Sequence, residues 1–263
     1  MHFVIEPADD QKRQIRSVDD LIAILSAITA DGQEIWYRGH RDSGWLLQAS
    51  VFRKREFWLN EREMLARFHQ EAAAAGLPYS FDEWGWITFA QHHMLPTRLL
   101  DWSQSPLVAL FFACERGDPN REQKAEPDGE FFALHPNLLN CDAGDNDSGA
   151  PRLLSDGDDK LKDYFPGRDG ANSSKPRAVI APMAFDRIRF QTGTFTIEQR
   201  PVDALVEDPI RNSRALESYI VPSAFKDKIR TQIEALGFSE ASIYRDLDRI
   251  AVRIRKTSER SGV

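Results

Sequence analysis

Cysteine is scarce in this chain: Cys114 and Cys141 are the only two in 263 residues, too few for a disulfide framework. Cys114 ends an apolar run and is expected as a buried thiol, whereas Cys141 falls in a polar stretch. Long apolar runs are missing too. The longest, Leu107–Cys114, is far shorter than the ~20 residues that cross a bilayer, so no membrane partner is expected. The start, "MHFVIEPADDQKRQ", lacks the basic-then-apolar layout of a secretory signal, and a cytoplasmic location is the expectation. Positive charge is in deficit. Against 41 Asp and Glu stand 34 Lys and Arg, a formal net charge of −7, so no overall basic field draws the chain to nucleic acid. Local patches remain, Arg53-Lys54-Arg55 among them. Metal-ligand spacing is also lacking: His92 and His93 are adjacent, so their side chains diverge. "DAGDNDSG" has neither the spacing nor the terminal acid of a calcium loop.

What is present is an ordinary globular composition, 41% hydrophobic and 29% charged, on a chain long enough to bury a sizeable core. "SVDDLIAILSAI" repeats Leu21, Ile24, Leu25 and Ile28 at helical spacing behind Ser17, a good N-cap. "EIWYRGH" reads as a strand, and "NEREMLARFHQEAAAA" as a helix capped by Asn60. Asp82 is placed to cap "EWGWITFAQHH", and Ser105-Pro106 to open a central apolar helix through Cys114. "EFFALHP", "KPRAVIAP", "RIRFQTGTFTIEQ" and "LESYIVP" supply further strands, with helices in "SAFKDKIRTQIEALGF" and "RDLDRIAVRIRKTSER". The expected architecture is α+β: a single domain over 1–263, with its core at about 17–252 and a central mixed or antiparallel sheet flanked by helices. The stretch 137–174, rich in Asp, Gly, Asn and Ser, reads as a flexible surface insertion.

Two stretches set polar residues against this core: "WYRGHRDSGWLLQASVFRK" and "QHHMLPTRLLDWSQSPLVALFFAC". Arg38 and His40 lie two apart on an extended chain and so share one face. Two readings stand side by side. In the structural one, Arg38 forms an ion pair with Asp101, His40 is a satisfied core residue, and Thr97, Ser103 and Ser105 serve turns and caps. In the functional one, Arg38, Thr97, Ser103 and one acidic side chain line a single cleft for an anionic ligand.

The same stretches resemble the FRG domain, a family of bacterial and phage proteins named for a Phe-Arg-Gly signature. Here Tyr37-Arg38-Gly39-His40 carries that signature with Tyr in place of Phe. "QHHMLPTRLLDW" follows the family's Gln-His-x-Gly-Leu-Pro-Thr-Arg-Leu-Leu-Asp-Trp, with Met94 where Gly is common, and 219–251 is similar to the family's closing segment. A further likeness is to ADP-ribosyltransferases. Their first-strand Arg or His matches Arg38-Gly39, and their Ser-Thr-Ser-like strand running into a small-residue helix matches "DWSQSPLVALFFA".

That resemblance implies an ADP-ribosyltransferase-like fold and NAD as substrate. It puts Arg38, His40 and Glu217 in catalytic roles, and Tyr37, Arg38, Gly39, Thr97, Arg98, Trp102, Ser103 and Ser105 around the NAD, with no metal. Tyr37 or Trp102 would stack on the nicotinamide ring. Gln191, Glu198 and Glu217 compete for the third-motif acid, and Glu217 in "ESYIV" has the best local setting. The implied role is an NAD-consuming transferase or hydrolase, a toxin or phage-defence component. Its partners would be a small-molecule nucleotide, a protein or nucleic-acid acceptor, and an antitoxin or defence-system protein. The competing reading is a non-catalytic module that binds nucleic acid or protein, supported by Arg53-Lys54-Arg55 and by Arg253, Arg255, Lys256 and Arg260. A metal-dependent nuclease finds no convincing ligand cluster.

Overall fold

A computed structural model describes residues 14–29, 32–75, 81–117, 125–145, 148–168, 175–181, 193–199, 208–239 and 242–243. Gln191, the strand expected at 187–190 and the final basic helix with Arg253, Arg255, Lys256 and Arg260 lie outside these residues.

Local chemistry sets most element boundaries. Helix α1 (Val18–Ile28) starts where Ser17 Oγ accepts the Asp20 N–H at 3.2 Å. Strand β1 spans Trp36–His40, and two helices follow it, α2 (Arg55–Leu59) and α3 (Glu61–Ala74). Asn60 does not cap α3 through its side chain. Its amide instead donates back to the Glu56 carbonyl at 2.9 Å, because α2 runs almost directly into α3. Helix α4 (Glu83–His92) begins at Asp82, whose carboxylate accepts the Gly85 N–H at 2.8 Å. Strand β2 (Leu99–Trp102) leads into α5 (Pro106–Ala113), with Ser105 as N-cap and Pro106 in the first turn. The remaining elements are β3 (Gly129–Leu134), α6 (Pro136–Asp142), β4 (Arg152–Leu153), β5 (Arg177–Ile180), β6 (Thr194–Ile197), β7 (Leu216–Val221) and α7 (Ser223–Ala235).

The architecture is α+β, and its strands divide between two sheets. One is antiparallel with order β1-β3-β7; the other has order β2-β6-β5-β4, antiparallel apart from the β4–β5 pair. Period-two alternation sorts the first sheet's side chains. Tyr37, Phe131, Ala133, Tyr219 and Val221 pack against α1, α5 and α7. From the other face Trp36, Phe132 and Leu134 meet Leu100, Trp102 and Ala178 of the second sheet. The far face of that second sheet, with Leu99, Val179, Phe195 and Ile197, is covered by Trp84 and Ile87 of α4.

Leu154, Leu161, Tyr164 and Phe165 join this last cluster, and Leu139 joins the one between the sheets. The described part of 137–174 therefore contributes buried side chains that its reading as a surface insertion does not include. Its polar residues hid five apolar side chains that the second sheet needs as cover. Tyr164 further donates its hydroxyl to the Lys175 carbonyl at 2.5 Å.

Among the described residues, backbone hydrogen bonds join the two sheets at one point. Tyr37 and Ser103 exchange backbone hydrogen bonds of 2.7 and 2.8 Å, which join the open edge of β1 to the residue just past β2. Two residues on, α5 lies so close to β1 that a Cβ on Gly39 would stand 1.9 Å from the Ala109 carbonyl oxygen. The glycine is what allows that approach.

Arg98 fixes the second sheet to α3. It is fully buried, as is Glu61, and its guanidinium grips the Glu61 carboxylate with two nitrogens (Nε–Oε1 3.0 Å) while Nη1 donates to the Tyr164 carbonyl at 2.7 Å. Arg98→Met strands a buried carboxylate and is expected to cost about 3–5 kcal/mol in urea denaturation. Glu61→Leu/Arg98→Met should recover most of that loss. Met94 turns the chain after α4 with φ +65°, a left-handed conformation that suits glycine better. Met94→Gly is expected to stabilise the protein by about 0.5–1 kcal/mol in the same assay, the relief of strain outweighing glycine's greater freedom when unfolded.

Candidate functional site

Beyond the Tyr37–Ser103 bridge the two sheets part, and the gap is a cleft of about 310 Å³. Its lining is polar at Arg38, Gln91, His92, Asp101, Ser103 and Thr194, and apolar at Val108, Ala109, Phe112 and Phe195. The volume lies at the small end of the range for ligand sites.

Arg38 stands at the mouth on the edge strand. Its Nε donates to His40 Nε2 at 3.1 Å and its Nη1 to the Asp101 carbonyl oxygen at 2.5 Å. Nη2 makes no hydrogen bond to a described residue, so one face of the guanidinium is left for a ligand. The anticipated Arg38–Asp101 ion pair does not form; the guanidinium takes the main-chain carbonyl, and the Asp101 carboxylate instead accepts Gln91 Nε2 at 2.7 Å. Desolvation pulls Arg38 down to about 10, with Asp101 opposing and Arg53 adding to the shift, so it remains a cation at neutral pH. Asp101 is open to solvent yet recessed among protein atoms. Burial raises its carboxyl above the ordinary range, against the pull of Arg38, the Gln91 hydrogen bond and Arg53.

Backbone geometry adds a second feature. Because Tyr37 bonds outward to Ser103, alternation along β1 sends the Gly39 N–H and C=O outward as well. Neither group is hydrogen-bonded by a described residue. The cleft thus contains a free donor and acceptor side by side, next to a guanidinium.

His40 is buried and serves as a strut. With Nε2 accepting from Arg38, its proton sits on Nδ1 and the ring is neutral. Desolvation, then Arg38, Arg53 and Arg211, drive its pKa down to about 2, with a backbone hydrogen bond to Trp45 opposing. Arg38 is held in turn.

The other residues singled out from the sequence fall in varied places. Ser103 lines the cleft while its Oγ accepts the Ser105 N–H at 3.0 Å, and Ser105 caps α5. Thr97 is buried behind the wall. Its hydroxyl donates to Gln91 Oε1 at 2.6 Å, which orients the amide that holds Asp101. Arg98 points the opposite way, into its pair with Glu61, so it does not reach the cleft; alternation along the strand separates it from its neighbours. Tyr37 and Trp102 contribute to the lining, but their rings are buried. Tyr37 packs on Phe131, and Trp102 Nε1 donates to Thr196 Oγ1 at 3.0 Å, so neither ring is open for stacking.

Glu217 is also elsewhere. It lies two strands from β1, on the opposite face from Arg38, where it accepts the Tyr219 hydroxyl at 2.7 Å and neighbours His135. Glu198 is buried and absent from the lining. The carboxylate in the cleft is Asp101. In the sequence Asp101 stands only as a pairing partner for Arg38, and Arg53 only as part of a basic run; Gln91 carries no separate signal.

The FRG domain family model matches residues 33–122. That span is similar to the FRG domain. It supplies Arg38, Gly39, Gln91, Asp101, Ser103 and Phe112, while Thr194 and Phe195 come from beyond it. No curated protein and no solved structure matches the chain. Among the described residues no helix is long and apolar enough to cross a membrane, and no group of three or more His, Cys, Asp and Glu gathers to hold a metal.

The His40 arrangement has a pH signature. Its folded pKa of about 2 lies below its ordinary 6.5, so the unfolded chain binds the proton more readily. Its stability contribution is complete above pH 6.5 and falls by about 1.4 kcal/mol per unit as pH drops from 6.5 toward 2. His40→Gln keeps an acceptor for Arg38 and is expected to flatten the pH dependence of denaturation between pH 6.5 and 4. Equal slopes in the two proteins would refute the neutral-strut reading.

Proposed function

We propose that the cleft in the FRG-like span binds NAD and that the protein is an NAD-consuming enzyme, an ADP-ribosyltransferase or NAD glycohydrolase acting in the cytoplasm as a toxin or phage-defence effector. The observation that carries this reading is the juxtaposition of a guanidinium with an unused nitrogen, an open strand-edge N–H and C=O, and a recessed carboxylate in one cleft. A primary carboxamide offers the complement of the Gly39 pair: its oxygen accepts the N–H and its NH2 donates to the C=O. The apolar lining from Val108, Phe112 and Phe195 suits a flat ring, and Arg38 suits a phosphate.

In the reaction the C1′–N glycosidic bond breaks and nicotinamide leaves with the bonding pair as a neutral pyridine. Positive charge develops on the ribose, as in glycoside cleavage. Asp101, ionised, stabilises that charge, and Gln91 aims its carboxylate. The cation is captured by water or by an acceptor's nucleophile, which then gives up a proton. Asp101 takes the role that the sequence comparison had given to Glu217.

Nicotinamide release from ring-labelled NAD, with and without cell extract, tests the reading. Arg38→Ala and Asp101→Asn are each expected to lower it on the order of a hundredfold. Because burial raises the Asp101 carboxyl, the acid limb of the rate profile should fall at a higher pH than for an ordinary carboxylate. Release unaffected by either substitution would remove the cleft from the reaction, and no release under any condition together with salt-sensitive binding to DNA or RNA would instead favour the non-catalytic module.

A further inference from the structure

Behind the cleft lies a second hollow of about 280 Å³, and Arg38, Gln91 and Asp101 form the wall between the two. Its floor is apolar, made by Leu95, Leu99 and Leu100. Its charged lining is two guanidiniums, Arg38 and Arg53, against the single Asp101 carboxylate. Ser50, the remaining hydroxyl, is already engaged: its Oγ accepts the Thr97 N–H at 3.1 Å.

Arg53 stands out among these groups. It is solvent-exposed, it ends the short turn of helix that carries Ser50, and no described residue gives it a hydrogen bond or an ion pair. Asp101 cannot neutralise both cations, and its carboxylate is turned toward Gln91. The hollow therefore keeps an excess of one positive charge over an apolar floor, with guanidinium donors reaching in from two sides. Such a lining rejects cations and gives an oxyanion the fork-like donors it needs. At about 30 Å³ for each water, the space holds roughly nine waters, enough for a diphosphate.

We propose that this hollow is an anion subsite that takes the phosphate end of the nucleotide, held by Arg53, with Arg38 shared between the two hollows. The proposal rests on the reading of the cleft as a nucleotide site, and it adds an assignment that the signature residues do not contain. One ligand then runs past the Arg38 side chain, its carboxamide at Gly39 and its diphosphate beside Arg53. Met94, highly exposed on the rim of the hollow, marks its solvent side.

Titration of the full chain with inorganic pyrophosphate tests the subsite without reference to NAD. Wild-type protein is expected to bind it with an affinity that falls as salt rises, and Arg53→Gln to weaken binding by about tenfold or more. Arg53 is exposed, so unchanged thermal unfolding should accompany that loss. Lys54→Gln, which removes the neighbouring surface cation, should leave binding intact. Absence of pyrophosphate binding, or equal weakening by the Lys54 and Arg53 substitutions, overturns the subsite. Paired titrations with NAD and with nicotinamide riboside, which has no phosphate, then place the subsite relative to the cleft. Arg53→Gln should weaken NAD alone, and equal weakening of both ligands overturns the placement. Pyrophosphate binding lost in Arg53→Gln, in a protein that binds and cleaves no NAD, leaves the anion site standing and removes the NAD reading instead.

Discussion

Two backbone hydrogen bonds between Tyr37 and Ser103 hold the edge of one sheet against the end of the other, and the cleft is what remains where that contact stops. Each bond contributes modestly, about 0.5–1.5 kcal/mol, yet the pair fixes which groups face the gap. Strand alternation then leaves no choice. If Tyr37 bonds outward, Gly39 must also present its backbone outward, and Arg38 between them must bond inward to Phe132 while its side chain comes off the face. A one-residue slip of β1 would close the backbone site and turn Arg38 away.

Around that join the polar residues form a chain of support. Thr97 orients Gln91, Gln91 turns the Asp101 carboxylate, the Asp101 carbonyl holds Arg38 Nη1, and His40 holds Arg38 Nε. Each link leaves the next with a defined direction. The cost is visible in the charge states: an imidazole kept neutral among three guanidiniums, and a carboxyl raised by burial. A purely structural cluster would be expected to pair Arg38 with the Asp101 carboxylate. Here the guanidinium takes the main-chain carbonyl and the carboxylate takes Gln91.

Much of this was legible in the sequence, and the misses share a cause. Caps at Ser17, Asp82 and Ser105 were readable because they act on N–H groups two or three residues away. Arg38 and Gly39 were readable from the signature itself. Thr97, Arg98 and Asp101 lie within five residues of one another, yet they go to three places: a support behind the wall, a buried ion pair, and the cleft. Proximity along the chain does not decide the face. Asn60 failed as a cap for a related reason, since α2 abuts α3 and presents a carbonyl to its side chain first. The 137–174 stretch misled through composition, its acids and glycines outnumbering the few apolar residues that cover the second sheet.

The sequence by itself determined most of the helices and strands, the α+β class and the guanidinium on the first strand, because periodicity and capping act over a few residues. Tertiary structure alone decided that the strands divide into two sheets, that the acid in the cleft is Asp101 and not Glu217, and that Arg98 belongs to the core while Arg53 faces a hollow. Those outcomes depend on which distant segments come to lie against one another. That is set by burial of the whole apolar surface at once, which no local pattern encodes.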